Sequence, residues 1–215
     1  MPTEEERIAA EAEAEEARLL HEARLALHTK VNIAAQILDR AANRATESEK
    51  ETIIAAITAA NGVVLNEVVA DINSATESLV TSYADLHERM NQVPLKDLTI
   101  WDIDCVESDL STGACKIIHW TATNYEIVED ITYSSRRYGS CQFNSDTGAE
   151  DFIPFNSVTK EKCLEWIKAE LNKEEVEGDT TKVDQIERLI AEEITEKVTP
   201  TLINTTAPWD IGENE

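Results

Sequence analysis

The stretch RRYGSCQFNSDTGAEDFIPFNSVTKEKCLEWIKAEL, from Arg136 to Leu171, joins a β-type run, a Gly-containing turn, the aromatic segment DFIPF and a helical segment that opens on Thr159. Its Tyr, Phe and Trp positions serve strands, a turn and a helix face, which is what the core of a small domain requires. Thr159 is the expected N-cap, Leu164, Ile167 and Leu171 share a face, and Val158 is placed to staple against Cys163. No nucleophile stands beside a base in this stretch.

Working towards the N-terminus, LTIWDIDCV alternates so that Trp101, Ile103 and Cys105 share a face, and CKIIHWTAT does the same with Ile118, Trp120 and Ala122. SDLSTG between them has hairpin-turn chemistry. YEIVEDITY and RRYGSCQF read as two more strands, which predicts an antiparallel meander of about four strands. Gly139 falls mid-strand, where glycine marks a bulge or the close approach of another backbone. Towards the C-terminus a second helix runs from Thr181 to Lys197, burying Val183, Ile186, Ile190 and Ile194, and Thr199-Pro200 stops it. Trp209, in the tail TLINTTAPWD, is expected to fold back onto the sheet. The fold class is therefore α+β.

Composition changes sharply near Pro94. Residues 1–93 contain one aromatic (Tyr83) and one glycine, amid abundant Ala, Glu, Leu, Ile and Val, whereas all four tryptophans lie beyond. Two domains are expected: a helical coiled-coil stalk over 1–93 and a compact α+β head over 94–215. Leu20, Leu27, Val31, Ala34, Leu38 and Ala41 form a seam on a first helix from Glu4 to Arg44. In a second segment Ile57, Val68, Leu79 and Met90 are 11 residues apart, as are Asn61, Ile72 and Tyr83, a period that suits a straight or slightly right-handed bundle. Between the segments, Thr46 with Glu49 or Ser48 with Glu51 offers a capping box.

Two architectures compete. One is an intramolecular antiparallel hairpin, the other a near-continuous stalk about 130 Å long at 1.5 Å per residue, and the absence of Gly or Pro in the link favours the stalk. A stalk with one apolar stripe needs partner helices, and β-branched residues on both seam lines favour a homotrimer. The expected oligomer interface is Leu27, Val31, Leu38, Ile57, Asn61, Val68, Ile72 and Leu79, with Asn61 either fixing register or, before Gly62, breaking the helix.

A net charge of −24, from 43 acidic against 19 basic residues, argues against nucleic acid or an anionic membrane as partner. No apolar run approaches the roughly 20 residues that span a bilayer, and the acidic start does not read as a signal peptide. Cys105, Cys115, Cys141 and Cys163 lack paired spacing and read as free thiols. His119, the one histidine in the head, reads as structural, satisfied by a backbone partner. Asp102 and Asp104 share a strand face without a third ligand, which suits an exposed sheet better than a divalent cation. Ser140 and Ser157 lack an elbow motif, no phosphate-cradling loop appears, and the sequon Asn204-Thr205-Thr206 carries no meaning without secretion. No catalytic, cofactor-binding or metal-binding residue, and no cofactor, is expected.

The ordered set Trp101-x-Ile103, His119-Trp120, Tyr138-Gly139-Ser140, Phe143, Ile153-Pro154-Phe155, Thr159-x-Glu161, Trp166 and Pro208-Trp209 resembles a small uncharacterised domain family of tailed bacteriophages, of the cyanophage type. The resemblance covers residues 98–209, brings no catalytic residues with it and says nothing of the helical half. It implies a structural component of a phage virion, in the tail, a fibre or a capsid decoration, that partners other virion proteins and passes through the host cytoplasm during assembly. A non-virion interaction module or assembly factor is the alternative, and an enzyme is not expected.

Overall fold

The computed structural model of the 215-residue chain describes residues 3–41, 44–144, 147–149, 152–176 and 180–201. The chain divides into two compact units: Met1–Leu98 with Glu129–Ile131, and Thr99–Val128 with Thr132–Glu215. The 3-10 turn Leu95–Leu98, which follows Pro94, belongs to the first, where Leu98 is buried.

The first unit is a bundle of three helices, α1 (Glu4–Ala41), α2 (Glu47–Val63) and α3 (Val69–Asn91). The stalk reading is corrected here, because the chain turns back twice. The first break is the one with the capping box: Thr46 Oγ1 accepts from the Glu49 amide while the Glu49 carboxylate accepts from the Thr46 amide. The second lies at Val64–Val68, where a β-branched run after Gly62 gives the helix little intrinsic support. Arg24 of α1 clasps this turn, its guanidinium donating to the carbonyls of Leu65 (3.3 Å) and Asn66 (2.9 Å). Glu49 and Arg89, 2.7 Å apart, tie the start of α2 to the end of α3, and Arg89 followed by the Thr46 contacts hold the Glu49 carboxyl down at about 2. Across the 64–68 turn the 11-residue spacing is a coincidence between two helices.

This arrangement covers the seam within one chain. Leu27, Ile72 and Leu79 are fully buried, as are Ile37, Ala34 and Ile53; Val31, Leu38 and Ile57 are half-buried, and Asn61 and Val68 are exposed. The face of α1 that packs inward runs through Ala23, Leu27, Ala34, Ile37 and Ala41, so the expected seam is one residue out of phase at Leu38. Asn61 lies in the last turn of α2, next to the break. The apolar stripe that called for partner helices therefore has them in its own chain.

The second unit has an antiparallel sheet of three strands, β1 (Ile100–Ser108), β2 (Cys115–Val128) and β3 (Ile131–Gln142), in the order β1-β2-β3, with α4 (Lys160–Leu171) against β1 and β2 and α5 (Lys182–Val198) against β2. The four expected strands become three because CKIIHWTAT and YEIV are one long β2, and the turn sits inside YEIVEDITY. That turn is two residues, Glu129 and Asp130, both with positive φ (50° and 66°), the backbone that a tight hairpin demands. In the β1–β2 hairpin, Asp109 accepts from the amides and hydroxyls of Ser111 and Thr112, which hold its carboxyl at about 2, and Gly113 takes the left-handed position at φ 69°.

Helices α4 and α5 start where the sequence places them. Thr159 and Thr181 are both N-caps, Thr181 with a full box to Asp184, and α5 buries Val183, Ile186, Ile190 and Ile194. In α4 the buried face is Cys163, Ile167 and Leu171, while Leu164 is only half-buried. Trp120, in the middle strand, packs 5.0 Å from Trp101 and lies flat on Gly139. The close approach expected at Gly139 is thus by an indole. Trp209 lies outside the described residues.

Two outcomes follow from this packing. Ile72→Ala should cost about 3 kcal/mol in denaturant unfolding, while light scattering at micromolar concentration should give a 24.0 kDa particle, because the seam is occupied within one chain. A mass near three times that value would mean that the bundle opens to share its seam between copies. Separately, a Cβ at residue 139 would stand 2.7 Å from Trp120 Cζ2, so Gly139→Ala should destabilise the second unit by about 1–3 kcal/mol.

Candidate functional site

Of the polar residues singled out in the sequence, Asp102, Asp104, Cys105 and His119 lie on β1 and β2. A β-bulge between Ile103 and Cys105 makes Asp104 the extra residue and sends Cys105 to the face that carries its register partner His119. Cys105 therefore does not share the face of Trp101 and Ile103, and it is exposed. For His119, where a backbone partner was expected, the structure gives a carboxylate: its Nε2 is 2.8 Å from Glu107 Oε1. Asp102 pairs with Lys160 at 2.7 Å, which lowers its pKa, whereas Asp104 accepts from Thr121 (3.2 Å) and Arg136 (3.4 Å). The two carboxylates are thus neutralised separately and do not converge on a cation. Among the described residues no group of three or more His, Cys, Asp or Glu is placed to hold a metal ion. In the first unit, His87 is half-buried beside Tyr83, and desolvation followed by the Arg40 and Lys30 charges lowers its pKa. Ser140 and Ser157 are exposed, and the Asn204 sequon lies outside the described residues.

What the structure does bring together is a hollow of about 510 Å³ in the second unit, where β3 ends and the last turns of α4 pass. The rings of Phe143, Phe152 and Trp166, the Cys115 thiol and the charged Glu170 and Lys173 are among the groups that line it. The rings of Phe143 and Trp166 are 6.3 Å apart at 47°, and Lys162 Nζ sits 6.0 Å from the Trp166 ring. A hydrogen bond from the Phe143 amide to the Lys116 carbonyl (2.8 Å) carries the β3 pairing up to its edge. A second hollow of about 320 Å³ adjoins it, sharing Gln142, Glu170 and Lys173, with Cys141 among its walls.

Sequence reasoning assigned these rings to the core. On α4, Trp166 lies one position off the line through Cys163, Ile167 and Leu171, so helical phase carries the signal that it reaches the rim. Tyr138 and Phe155, also read as core, are exposed. The thiols are not poised as nucleophiles: burial pushes Cys115, Cys141 and Cys163 up, away from the reactive thiolate. Apolar rings, a few polar groups and protonated thiols make a surface for holding an apolar group.

Among the described residues, no helix is long and apolar enough to cross a membrane. A family profile described as Domain of unknown function (DUF7936) matches residues 96–209. No curated protein and no solved structure matches the chain.

The burial pattern predicts the thiol chemistry. With a maleimide at neutral pH, Cys105 should react first, and Cys115, Cys141 and Cys163 at least about tenfold more slowly until the chain is denatured. Peptide mass spectrometry resolves the sites, and equal rates at all four would contradict the burial described.

Proposed function

As a member of this family of domains of unknown function, matched over residues 96–209, the chain has to be read from its surfaces, and we propose that it is a structural component of a tailed-phage virion that acts by binding. The resemblance of residues 98–209 to a phage domain supports the setting. The observation that carries the binding role is the first half of α1.

Helix α1 has 38 residues against 17 in α2 and 23 in α3. The α2–α3 turn meets it at Arg24, and Glu4–Leu20, about 25 Å of helix, runs on past that clasp. Every residue from Glu4 to Leu19 is exposed, including Ile8 and Leu19. An isolated helix of this length is marginal in water, so its order has local causes. Thr3 and Glu6 exchange capping hydrogen bonds, and Arg18 bridges Glu15 (2.6 Å) and Glu22 (2.5 Å). Such a segment presents a preformed helix to a partner.

Its chemistry defines the partner. Residues 3–20 carry seven Glu and two Arg, with Ile8, Leu19 and five Ala among them. A protein surface with basic groups around an apolar strip complements this, whereas another acidic surface is repelled. In this reading the helix anchors the protein to another virion component, in the tail, a fibre or the capsid, and the second unit is displayed. The protein passes through the host cytoplasm during assembly.

The test is deletion of residues 1–18 followed by quantitative mass spectrometry of purified particles. The described residues it removes, 3–18, are all exposed, whereas a deletion to residue 45 would remove the buried Leu27, Ile33 and Ile37. Incorporation should fall to background while the melting midpoint moves by no more than about 2 °C. Full incorporation of the shortened chain would place the anchor elsewhere. If the intact chain is itself absent from particles, the virion reading fails, and an assembly factor takes its place.

A further inference from the structure

Helix α1 carries one apolar line from inside the bundle out to its free end. The buried members are Ala23, Leu27, Ala34, Ile37 and Ala41. Counting back from Ala23 by 4, 7 and 4 residues meets Leu19, Ala12 and Ile8, intervals that hold residues on one helix face. Ile8 (58 % exposed) and Leu19 (43 %) are therefore core-facing positions without a core. The reason is length: α2 ends and α3 begins at the turn that Arg24 clasps, and past that level the line of α1 runs on uncovered. The turn itself leaves Leu65 83 % and Val68 52 % exposed at the foot of the line. We propose that this uncovered line is one half of a two-helix coiled coil, whose other half is a single amphipathic helix of a partner protein with an apolar heptad seam and a basic flank.

The spacing selects a helix as occupant. Steps of 4 and 7 are heptad steps, the pattern that a facing helix reads. Ile8 and Leu19 are large and Ala12 between them is small, so a Leu or Ile of the partner finds a hole to enter.

The charges select its sign. Along one side of the line Arg7 pairs with Glu4 (3.2 Å), and Arg18 pairs with Glu15 (2.6 Å) and Glu22 (2.5 Å). Along the other, Glu5 and Glu16 stand 11 residues apart, three turns of helix, and among the described residues no cation pairs with either. Lys or Arg at the flanking heptad positions of the partner would complete that open side. A second copy of α1 is the wrong occupant, because residues 3–20 hold seven Glu against two Arg and would repel themselves. This inference rests on the reading that the free half of α1 is the docking element, and does not depend on which component supplies the partner helix.

The experiment titrates the whole chain into a fluorescein-labelled synthetic peptide of about three heptads, with Leu and Ile on the seam and Lys on the flanks. Fluorescence anisotropy at about 0.15 M salt reads the binding. One control peptide has the same residues in scrambled order, and another keeps the seam but carries Glu on the flanks. The basic heptad peptide should bind at least about tenfold more tightly than either control, and Leu19→Ser should weaken it at least about tenfold. Glu5→Gln with Glu16→Gln should weaken it and flatten its salt dependence. All three residues are exposed, so the melting midpoint should stay within about 2 °C of the parent's. On binding, the amides of residues 4–20 should exchange at least about tenfold more slowly. Equal binding of the ordered and scrambled peptides overturns the proposal, since charge alone would then be at work. An unchanged affinity in Leu19→Ser, or protection confined to other residues, overturns it as well. If deleting residues 1–18 abolishes incorporation into particles but the basic heptad peptide does not bind, the helical partner is refuted and the anchor reading stands. Peptide binding at the seam, with the shortened chain still fully incorporated, supports the coiled coil and removes the anchor reading instead.

Discussion

The second unit is organised around the contact of Trp120 with Gly139. The indole occupies the space that any side chain at residue 139 would need, so the middle strand and β3 approach through a bare Cα. That placement sets Trp101 at 5.0 Å from Trp120, and Trp101 then engages both helices: its Nε1 donates to Glu187 of α5 at 2.8 Å, and Lys168 of α4 lies 5.1 Å from its ring. One ring pair thereby registers two helices on one sheet. The hollow exists because α4, so registered, runs its last turns past the end of β3, where its Trp166 and Glu170 meet Phe143 of the outgoing chain.

Local signals in the sequence were sufficient wherever the deciding interaction is local. The cap at Thr159, the Thr46–Glu49 box as one of the two offered between the first helices, the start of α5 at Thr181 and its buried face follow from hydroxyl and carboxylate spacing and from a 3.6-residue period. Readings that needed tertiary knowledge went astray. The turn at Val64–Val68 contains no proline, and what holds it is Arg24, some forty residues away in the chain. The bulge at Asp104 is invisible to strict alternation and moves Cys105 across the sheet. Merging two expected strands into β2 depends on Glu129 and Asp130 adopting a backbone that neither prefers. The hollow was missed because every ring was assigned to the core, although helical phase sets the half-buried Trp166 apart from the buried Ile167.

The two units stabilise themselves by different means. The bundle buries aliphatic side chains from helices close in sequence, and its long α1 continues beyond them on capping bonds and ion pairs alone. Such surface pairs are worth little individually and are screened by salt. The order of the free helical end is thus conditional in a way that the bundle is not. A partner that finds it already helical avoids part of the entropy cost of folding a segment on binding.

The β2–β3 hairpin closes through Glu129 and Asp130, two adjacent acidic residues in left-handed conformation, where natural two-residue turns favour Asn and Gly. Such a turn is a poor nucleus, since it combines backbone strain with neighbouring like charges. The hairpin is then expected to form from its middle outward, beginning where Trp120 meets Gly139, and to close its tip late. Folding of this unit becomes a matter of ring packing across distant positions, and its rate should track the indole more than the turn.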